Sequence, residues 1–498
     1  MIALRGSQNL RDKKFPSYRT LTWGLVFLCL YFSSRLLFFA FFISPYIPPD
    51  EATHLGKAKV FSKVLLLPEN SAETYQYGLV TNISWLYYWV MGKLLPLNVF
   101  GMSDLLFLRL FNILFALGTV YFSWRLLRLL TDDRLTQLLL VVVMTNTLMF
   151  SFLSASVSYD NLVNLLAVMA IYYLFAFFKE RSVDCLVISL LCQLAGCLTK
   201  LSFLPLSLIL VALWVLHEVK GVRSLPVAVK RSYREKGWRA YVLSFVILAG
   251  LLMNIQLYGG NYLQYGDLRP AMSEVLSSEI ALEHRLAARD TIVEDFKDGR
   301  LSYQQAMRMT RLVSHQGDRA DTAYLIQGLA DHRVNGYELL GPVAYVVPWG
   351  KHIPATVFGI KAHLSMLNEG LTIIPVAVLM LLALLGFVMH WRRGNQVGIA
   401  AYLFILCGAY AIFLMYFHNY QVYLYYENFA MGLQGRYLFP VIGAFYVLFS
   451  YYLTHLFQRE SLRLGLVCVA TFVFIASDFP FFLYHATRNW FAITPPFF

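Results

Sequence analysis

Immediately after its first apolar segment the chain reads PYIPPDEATHLGKAKVFSK, Pro45 to Lys63. Pro48 and Pro49 impose extended and then helix-starting backbone, and Asp50 and Glu51 follow where a helix N-terminus favours negative charge. In a helix that starts there, Asp50, His54 and Lys57 stand at i, i+4 and i+7 and share one face, with Glu51 about a quarter turn away. A carboxylate, an imidazole and an ammonium in a row could deprotonate a hydroxyl or amine, hold a divalent cation, or grip a phosphate. The plainer use of the same residues is helix-start chemistry, with Lys57, Lys59 and Lys63 simply solvated.

Three further polar groups stand at the ends of apolar stretches. SASVSYDNLVNLL places Asp160 at the head of a helix, GCLTKLSFLP places Lys200 at a helix–helix junction, and MGLQGRYLFP places Arg436 before another helix. Each has a local explanation in snorkelling or capping, but ionisable groups beside hydrocarbon are costly and are functional candidates by default. Two carboxylate sites and two cations at one level suit an anionic lipid headgroup and an acceptor.

The elements that must position them are membrane helices. A mean hydropathy of +0.57, with 16% aromatic and only 14% charged residues, is foreign to a soluble globular chain. A spanning helix needs about 20 apolar residues. About eleven such stretches occur, near 21–43, 105–127, 136–153, 159–178, 185–199, 202–217, 240–258, 371–390, 398–417, 437–457 and 464–483. The pair around Lys200 is short. The fold predicted is all-α, a polytopic bundle of about eleven spans, and the first stretch is read as a retained anchor. Lys and Arg crowd alternate connections: Arg5, Arg11, Lys13, Lys14, Arg19; Arg125, Arg128, Arg134; Lys179, Arg181; Lys220 to Arg239; Arg392, Arg393; Arg459, Arg463. That asymmetry puts the N-terminus inside and the C-terminus outside. The net charge of +12 is thus a topology signal and no nucleic-acid footprint. All six cysteines fall in apolar stretches, so no disulfide framework is expected.

Three parts follow. Residues 1–258 form an N-terminal transmembrane module whose outer loop, 44–104, carries the acidic motif and an aromatic run suited to an interfacial helix. Residues 259–370, nearly balanced in charge, read as a helical extracytoplasmic subdomain, and 371–498 as a C-terminal transmembrane module. Lesser candidates have modest readings. Arg35 would snorkel or meet a lipid phosphate, Asp478 would serve a helix end, and Glu427 would neutralise Arg436. His352 and His363 would be ordinary hydrogen-bonding residues. Trp85, Tyr87, Tyr88 and Trp89 would form an interfacial belt, and Asn82-Ile83-Ser84 fits the N-glycosylation pattern.

PPDEATH after the first span resembles the acidic first-outer-loop motif of the GT-C glycosyltransferase superfamily. That group includes protein mannosyltransferases, lipid A aminoarabinose transferases and oligosaccharyltransferases. SYDNLVNLLAVMAIYYL looks like its second acidic position, and CLTKLSFLPL is similar to an LTK junction in several members. With QGRYLFPVI, the motifs look closest to a family of predicted bacterial GT-C-like membrane proteins of this size. The resemblance implies sugar transfer from a polyprenyl-phosphate donor at the outer face of a bacterial inner membrane, with inversion at the anomeric carbon. It implies a glycan, lipid or protein acceptor, Asp50 as acceptor-activating base or metal ligand, Glu51 in support and Asp160 as second acid. Lys200 and Arg436, with His54 and Lys57, are then read from charge and position as the phosphate-binding set. A divalent cation, Mg or Mn, on Asp50, Glu51 and Asp160 is left open, because their spacing matches no known metal motif. A lipid-linked-glycan flippase is the competing function, and a non-catalytic scaffold of an envelope polysaccharide complex is another. Transporters favour repeated halves and broken helices at the midplane, whereas these charges collect at one face and no repeat is visible.

Overall fold

The computed structural model describes residues 18–45, 47–218, 234–235, 237–313, 316–370, 373–392, 398–429 and 431–492. Among them the chain is helical, its only β features being the isolated bridges Ile43–Phe491 and Ile360–Met366. Eight helices there are long and apolar enough to cross a membrane, and the chain is a multi-pass membrane protein. The eleven apolar stretches all become helix, but three of them depart from a simple span. Val183–Thr199 and Phe203–Glu218 are short, and Arg134–Thr145 and Leu148–Ser154 meet at 67°. The bend has a local cause. Thr145 Oγ1 bonds back to the Val141 carbonyl, and Asn146 Nδ2 to the Val142 carbonyl, so the side chains compete with the helix ladder. Of the basic residues that set the expected orientation, Arg5 to Lys14, Lys220 to Arg231, Lys236 and Arg393 lie outside the described residues.

Helices up to the site are labelled in order: α1 Tyr18–Phe42, α2 Glu51–Ser62, α3 Leu86–Leu94, α4 Asp104–Leu127, α5 Arg134–Thr145, α6 Leu148–Ser154, α7 Tyr159–Glu180, α8 Val183–Thr199 and α9 Phe203–Glu218. Helix α7 is the central one, apolar on nearly all sides and buried along most of its length, as a helix without a polar face must be. Glycine allows the tightest approaches. A Cβ at Gly443 would collide with Ser123 of α4, and one at Gly92 would stand 2.7 Å from the Ala58 carbonyl of α2. The second contact presses α3 onto α2 and buries Tyr87, Tyr88 and Met91. Two of the four aromatics expected in an interfacial belt are therefore core. Asn82 of the glycosylation pattern donates its amide to Asn261 Oδ1 at 2.9 Å, so that nitrogen serves the fold.

Beyond the helix Trp238–Asn254 the chain passes through a π-helical turn, Ile255–Gly259, and a matching one, Leu414–Asn419, interrupts the later span. Between them, helices Arg285–Lys297, Tyr303–Met309 and Gln316–Asn335 enclose a small core of their own around Ile292, Val293, Phe296 and Ile326. An apolar helix with Pro348 and Pro354 inside it, Pro342–Val357, follows. Glu427 sits with His332 and Lys297 rather than with Arg436, which corrects its expected role.

Arg35 and Asp478 are corrected as well. Both are buried and they pair directly, while Arg35 Nη2 donates to the Thr145 carbonyl at 2.6 Å and its guanidinium covers the Tyr31 ring at 4.2 Å. The pair ties α1 to the last span. Removing one partner of a buried pair strands the other, at a cost of about 3–5 kcal/mol. Asp478→Asn is expected to lower the melting temperature in detergent markedly, and the double variant Arg35→Met/Asp478→Leu to recover most of that loss. A single variant as stable as wild type would refute the assignment.

Candidate active site

The site begins where α1 ends. After the prolines, Asp50 takes a left-handed conformation, φ 57° and ψ 14°, and α2 starts at Glu51. A non-glycine residue there carries strain of about 1–2 kcal/mol. Its side chain makes no capping bond, so the carboxylate is left free to point elsewhere.

What holds this turn is Glu51. Arg109, in the second turn of α4, donates Nε to Glu51 Oε1 at 2.9 Å and Nη2 to Oε2 at 2.5 Å, and both side chains are fully buried. Arg109 Nη1 also donates to the Ala40 and Ile43 carbonyls at 2.9 Å each. Glu51 Oε1 accepts in addition from the Val157 amide at 2.8 Å. Both oxygens of Glu51 are thus spent on fixing α1, α2, α4 and the strand of chain before α7. The geometry makes Glu51 an anchor in place of the supporting catalytic residue expected. Arg109 was missed, although an arginine inside an apolar span, LFLRLFN, was a signal that could have found it.

The same anchor sets Asp160, because Val157 lies just before the α7 N-cap, where Ser158 Oγ accepts from the Asp160 amide. Lys200, in the turn between α8 and α9, donates to Asp160 Oδ1 at 2.6 Å and lies against the rings of Tyr159 and Tyr437. Arg436 enters on the 3-10 turn Gly435–Val441, which Thr356 fixes by accepting the Gly435 amide at 2.8 Å. Its Nη1 stands 3.6 Å from Asp160 Oδ2 and its Nη2 3.7 Å from Asp50 Oδ2. Those separations are ion pairs too long for hydrogen bonds, and among the described residues Asp160 Oδ2 and Arg436 Nε find no hydrogen-bond partner. Four of the residues singled out, Asp50, Asp160, Lys200 and Arg436, therefore come together although they are far apart in sequence.

Arg285 joins them unforeseen. It forks onto Asp318 at 2.8 Å to both oxygens and reaches Asp50 Oδ1 at 3.3 Å. The Asp50 amide donates to His363 Nε2 at 3.4 Å. Nothing in EHRLAARD separates Arg285 from the charges around it, so no sequence signal marked it. Asp50 keeps 38% of its side chain open, whereas Asp160 keeps 4%. Enclosure by the surrounding walls would raise the Asp50 carboxyl, but Arg436, then His54 and Arg285, outweigh this and hold it at about 2.

His54 and Lys57 line the neighbouring wall. His54 Nδ1 shares a hydrogen bond with Tyr88 OH at 3.0 Å, and its ring packs edge-on against Tyr159. Burial, opposed by Asp50 and assisted by Lys57, takes its pKa down to about 4, so it is neutral at pH 7. Lys57 Nζ lies 5.2 Å from the centre of the Tyr88 ring. The metal expectation does not fit these residues. Glu51 is fully engaged, Asp50 and Asp160 each face cations, and among the described residues no three His, Cys, Asp or Glu groups gather as a metal would need.

Glu51→Gln keeps the shape and removes the charge beneath Arg109, so a loss of about 3–5 kcal/mol is expected, read as a lower melting temperature. Asp50→Asn, at a carboxylate that is far more open, should lose less, and equal melting of all three proteins would disprove the anchor. For His54 the folded pKa lies below the ordinary 6.5, so the unfolded chain binds the extra proton between pH 6.5 and about 4. Its share of stability is complete above pH 6.5 and is lost as pH falls toward 4. The fall in melting temperature from pH 7 to 4.5 should be smaller in His54→Gln than in wild type.

No protein-family model and no curated protein sequence matches the chain. Solved structures similar to it include the archaeal oligosaccharyltransferase AglB from Archaeoglobus fulgidus, determined with an inhibitory peptide and a dolichol-phosphate. That likeness has a TM-score of 0.43 and 11% identity and covers 93% of this chain, which spans only 56% of the AglB chain. Apo ArnT from Cupriavidus metallidurans is also similar, with a TM-score of 0.36, 11% identity, 87% of this chain and 78% of that one. At TM-scores below 0.5 neither likeness bears on the chemistry of the site.

Proposed function

We propose that the chain is an integral-membrane glycosyltransferase that moves a sugar from a polyprenyl-phosphate donor to an acceptor at the outer face of a bacterial inner membrane. The observation that carries this reading is Arg436 standing between an open carboxylate, Asp50, and a buried one, Asp160, with Lys200 alongside. An open carboxylate can meet an acceptor, and two cations held by a buried acid can meet a lipid phosphate.

The proposed step balances as follows. The acceptor oxygen or nitrogen bonds to the anomeric carbon from the Asp50 side, and its proton passes to the Asp50 carboxylate. The bond from that carbon to the phosphate oxygen breaks with its electron pair on the phosphate, and a single displacement inverts the carbon. A phosphate leaving group needs no proton donor, which suits an Asp160 that stays paired and holds Lys200 and Arg436 for the developing charge. Asp50 at about 2 is a weak base while Arg436 faces it. A donor phosphate that draws on Arg436 weakens that hold and raises Asp50 toward the ordinary carboxylate range, so base strength and donor occupancy rise together.

The test uses purified protein in nanodiscs, a panel of polyprenyl-phosphate sugars, membrane extract as acceptor source and mass spectrometry. Wild type is expected to retain one donor and consume it. Asp50→Asn should retain the same donor and transfer about 10²–10⁴-fold more slowly, whereas Arg436→Gln should retain about tenfold less. Retention of no donor, or wild-type transfer by Asp50→Asn, would overturn the reading.

A further inference from the structure

Away from the charged site, α1 and α4 leave a cavity of about 330 Å³ between them. Leu37 of α1 forms one wall, and Phe107, Leu110, Phe111 and Leu114 of α4 form the other. Phe100, from the loop before α4, lines the head. The α4 wall runs over about 10 Å of helix at 1.5 Å per residue. At 3.6 residues per turn, Phe107, Phe111 and Leu114 stand about 140–160° around α4 from Arg109. The cavity therefore lies behind the Arg109 anchor and does not open into the site.

The chemistry of the lining selects its occupant. Apolar walls offer water no partners, whereas a hydrocarbon chain gives each facing atom the dispersion contacts it would otherwise forfeit. Both α1 and α4 are long and apolar enough to cross a membrane, and Leu37 and Leu114 are exposed, so the cavity opens on lipid. Its head carries charge. Asp104 shares an α4 stripe with Phe107, Phe111 and Leu114, at i, i+3, i+7 and i+10, and pairs with Lys59 of α2 at 3.1 Å. Both side chains are open, 49% for Lys59 and 40% for Asp104. Leu97 and Val99, beside Phe100, are exposed as well, although this loop belongs to no span. An exposed apolar patch with a polar rim marks a contact surface, and this one is continuous with two spans.

We propose that the cavity between α1 and α4 seats one acyl chain of a bilayer phospholipid, whose zwitterionic, amine-bearing head group meets the Lys59–Asp104 pair. The lysine faces the phosphate and the aspartate the ammonium, an exchange of partners that an open ion pair permits at little cost. The chain comes from a phospholipid and not from the polyprenyl donor. A donor with its phosphate at Lys200 and Arg436 would have to wrap its chain around α4 to enter from behind. The seat is independent of the glycosyltransferase reading. A chain wedged there braces α1 against α4 on the far side of the Arg109 bonds to the Ala40 and Ile43 carbonyls, so the lipid steadies the anchor.

Full-length protein in nanodiscs would be given phosphatidylethanolamine with a diazirine at mid-chain, irradiated and mapped by peptide mass spectrometry. Label is expected on Leu37 and on 107–114 well above that on Trp238–Asn254, whose exposed Phe245 and Leu252 report ordinary bilayer contact. Leu110→Trp, which fills the cavity, is expected to cut the label at Leu37 about tenfold and to leave Trp238–Asn254 unchanged. Leu114→Trp, at an exposed position, makes the same test if Leu110→Trp does not fold. A phosphatidylglycerol probe is expected to label the seat about threefold less, and Asp104→Asn to erase that difference. Label spread evenly over the spans, or unchanged in the filled variants, would overturn the inference. So would equal labelling of wild type by the two head groups. Loss of label on adding polyprenyl phosphate would give the cavity to the donor chain, and protection of a dimer seen by native mass spectrometry would give it to a second copy. Either result would overturn the inference too.

Discussion

The buried fork between Glu51 and Arg109 is the constraint on which the rest of the site depends. One guanidinium closes the C-terminal end of α1 through two carbonyls, holds the acid that opens α2, and through that acid fixes the amide of Val157. Asp50 is the residue before Glu51, and Asp160 lies three beyond Val157. Two carboxylates separated by more than a hundred residues are thus positioned from one point. Buried ion pairs are weak contributors to net stability, because desolvation offsets their attraction. Their worth here is geometric, since the pair admits one arrangement of four chain segments and penalises every other.

From that fixed frame the charges divide into two kinds. Asp160, Lys200 and Arg436 are packed at the head of α7 and are held by one another and by the rings of Tyr159 and Tyr437. Asp50 is strained, accessible and shared between two arginines from different parts of the chain. Such an outlier persists only where its surroundings over-determine it, and strain of this kind clusters at sites that act. The hydrogen bond from the Asp50 amide to His363 Nε2 and the Arg285–Asp318 fork provide that over-determination.

The chain beyond the first π-helical turn contributes directly to this region through Arg285 and His363. The two π-helical turns mark where it leaves and where the later span resumes its course. Tyr258 in the first donates to the Cys197 carbonyl at 2.6 Å, beside the Lys200 turn, and Asn419 in the second donates to the Gly432 carbonyl at 2.8 Å, on the approach to Arg436. Widened turns of this sort are frequent at functional positions.

The helical class, the membrane setting and the ends at which polar residues gather were legible in the sequence, because bilayer thickness dictates apolar length and makes each exception conspicuous. That logic singled out Asp50, Asp160, Lys200 and Arg436, and an arginine inside an apolar span would have added Arg109. It could not separate Glu51 from Asp50, since adjacent acids look alike until one is found facing a buried guanidinium. Nor could it pair Arg35 with Asp478 or select Arg285 from a charged loop. Those distinctions concern which distant group occupies the space around a charge, and a side chain's chemistry follows from its neighbours in space. Composition and periodicity therefore determined where charges could exist in this protein, and only tertiary packing decided which are spent on the fold and which remain free to act.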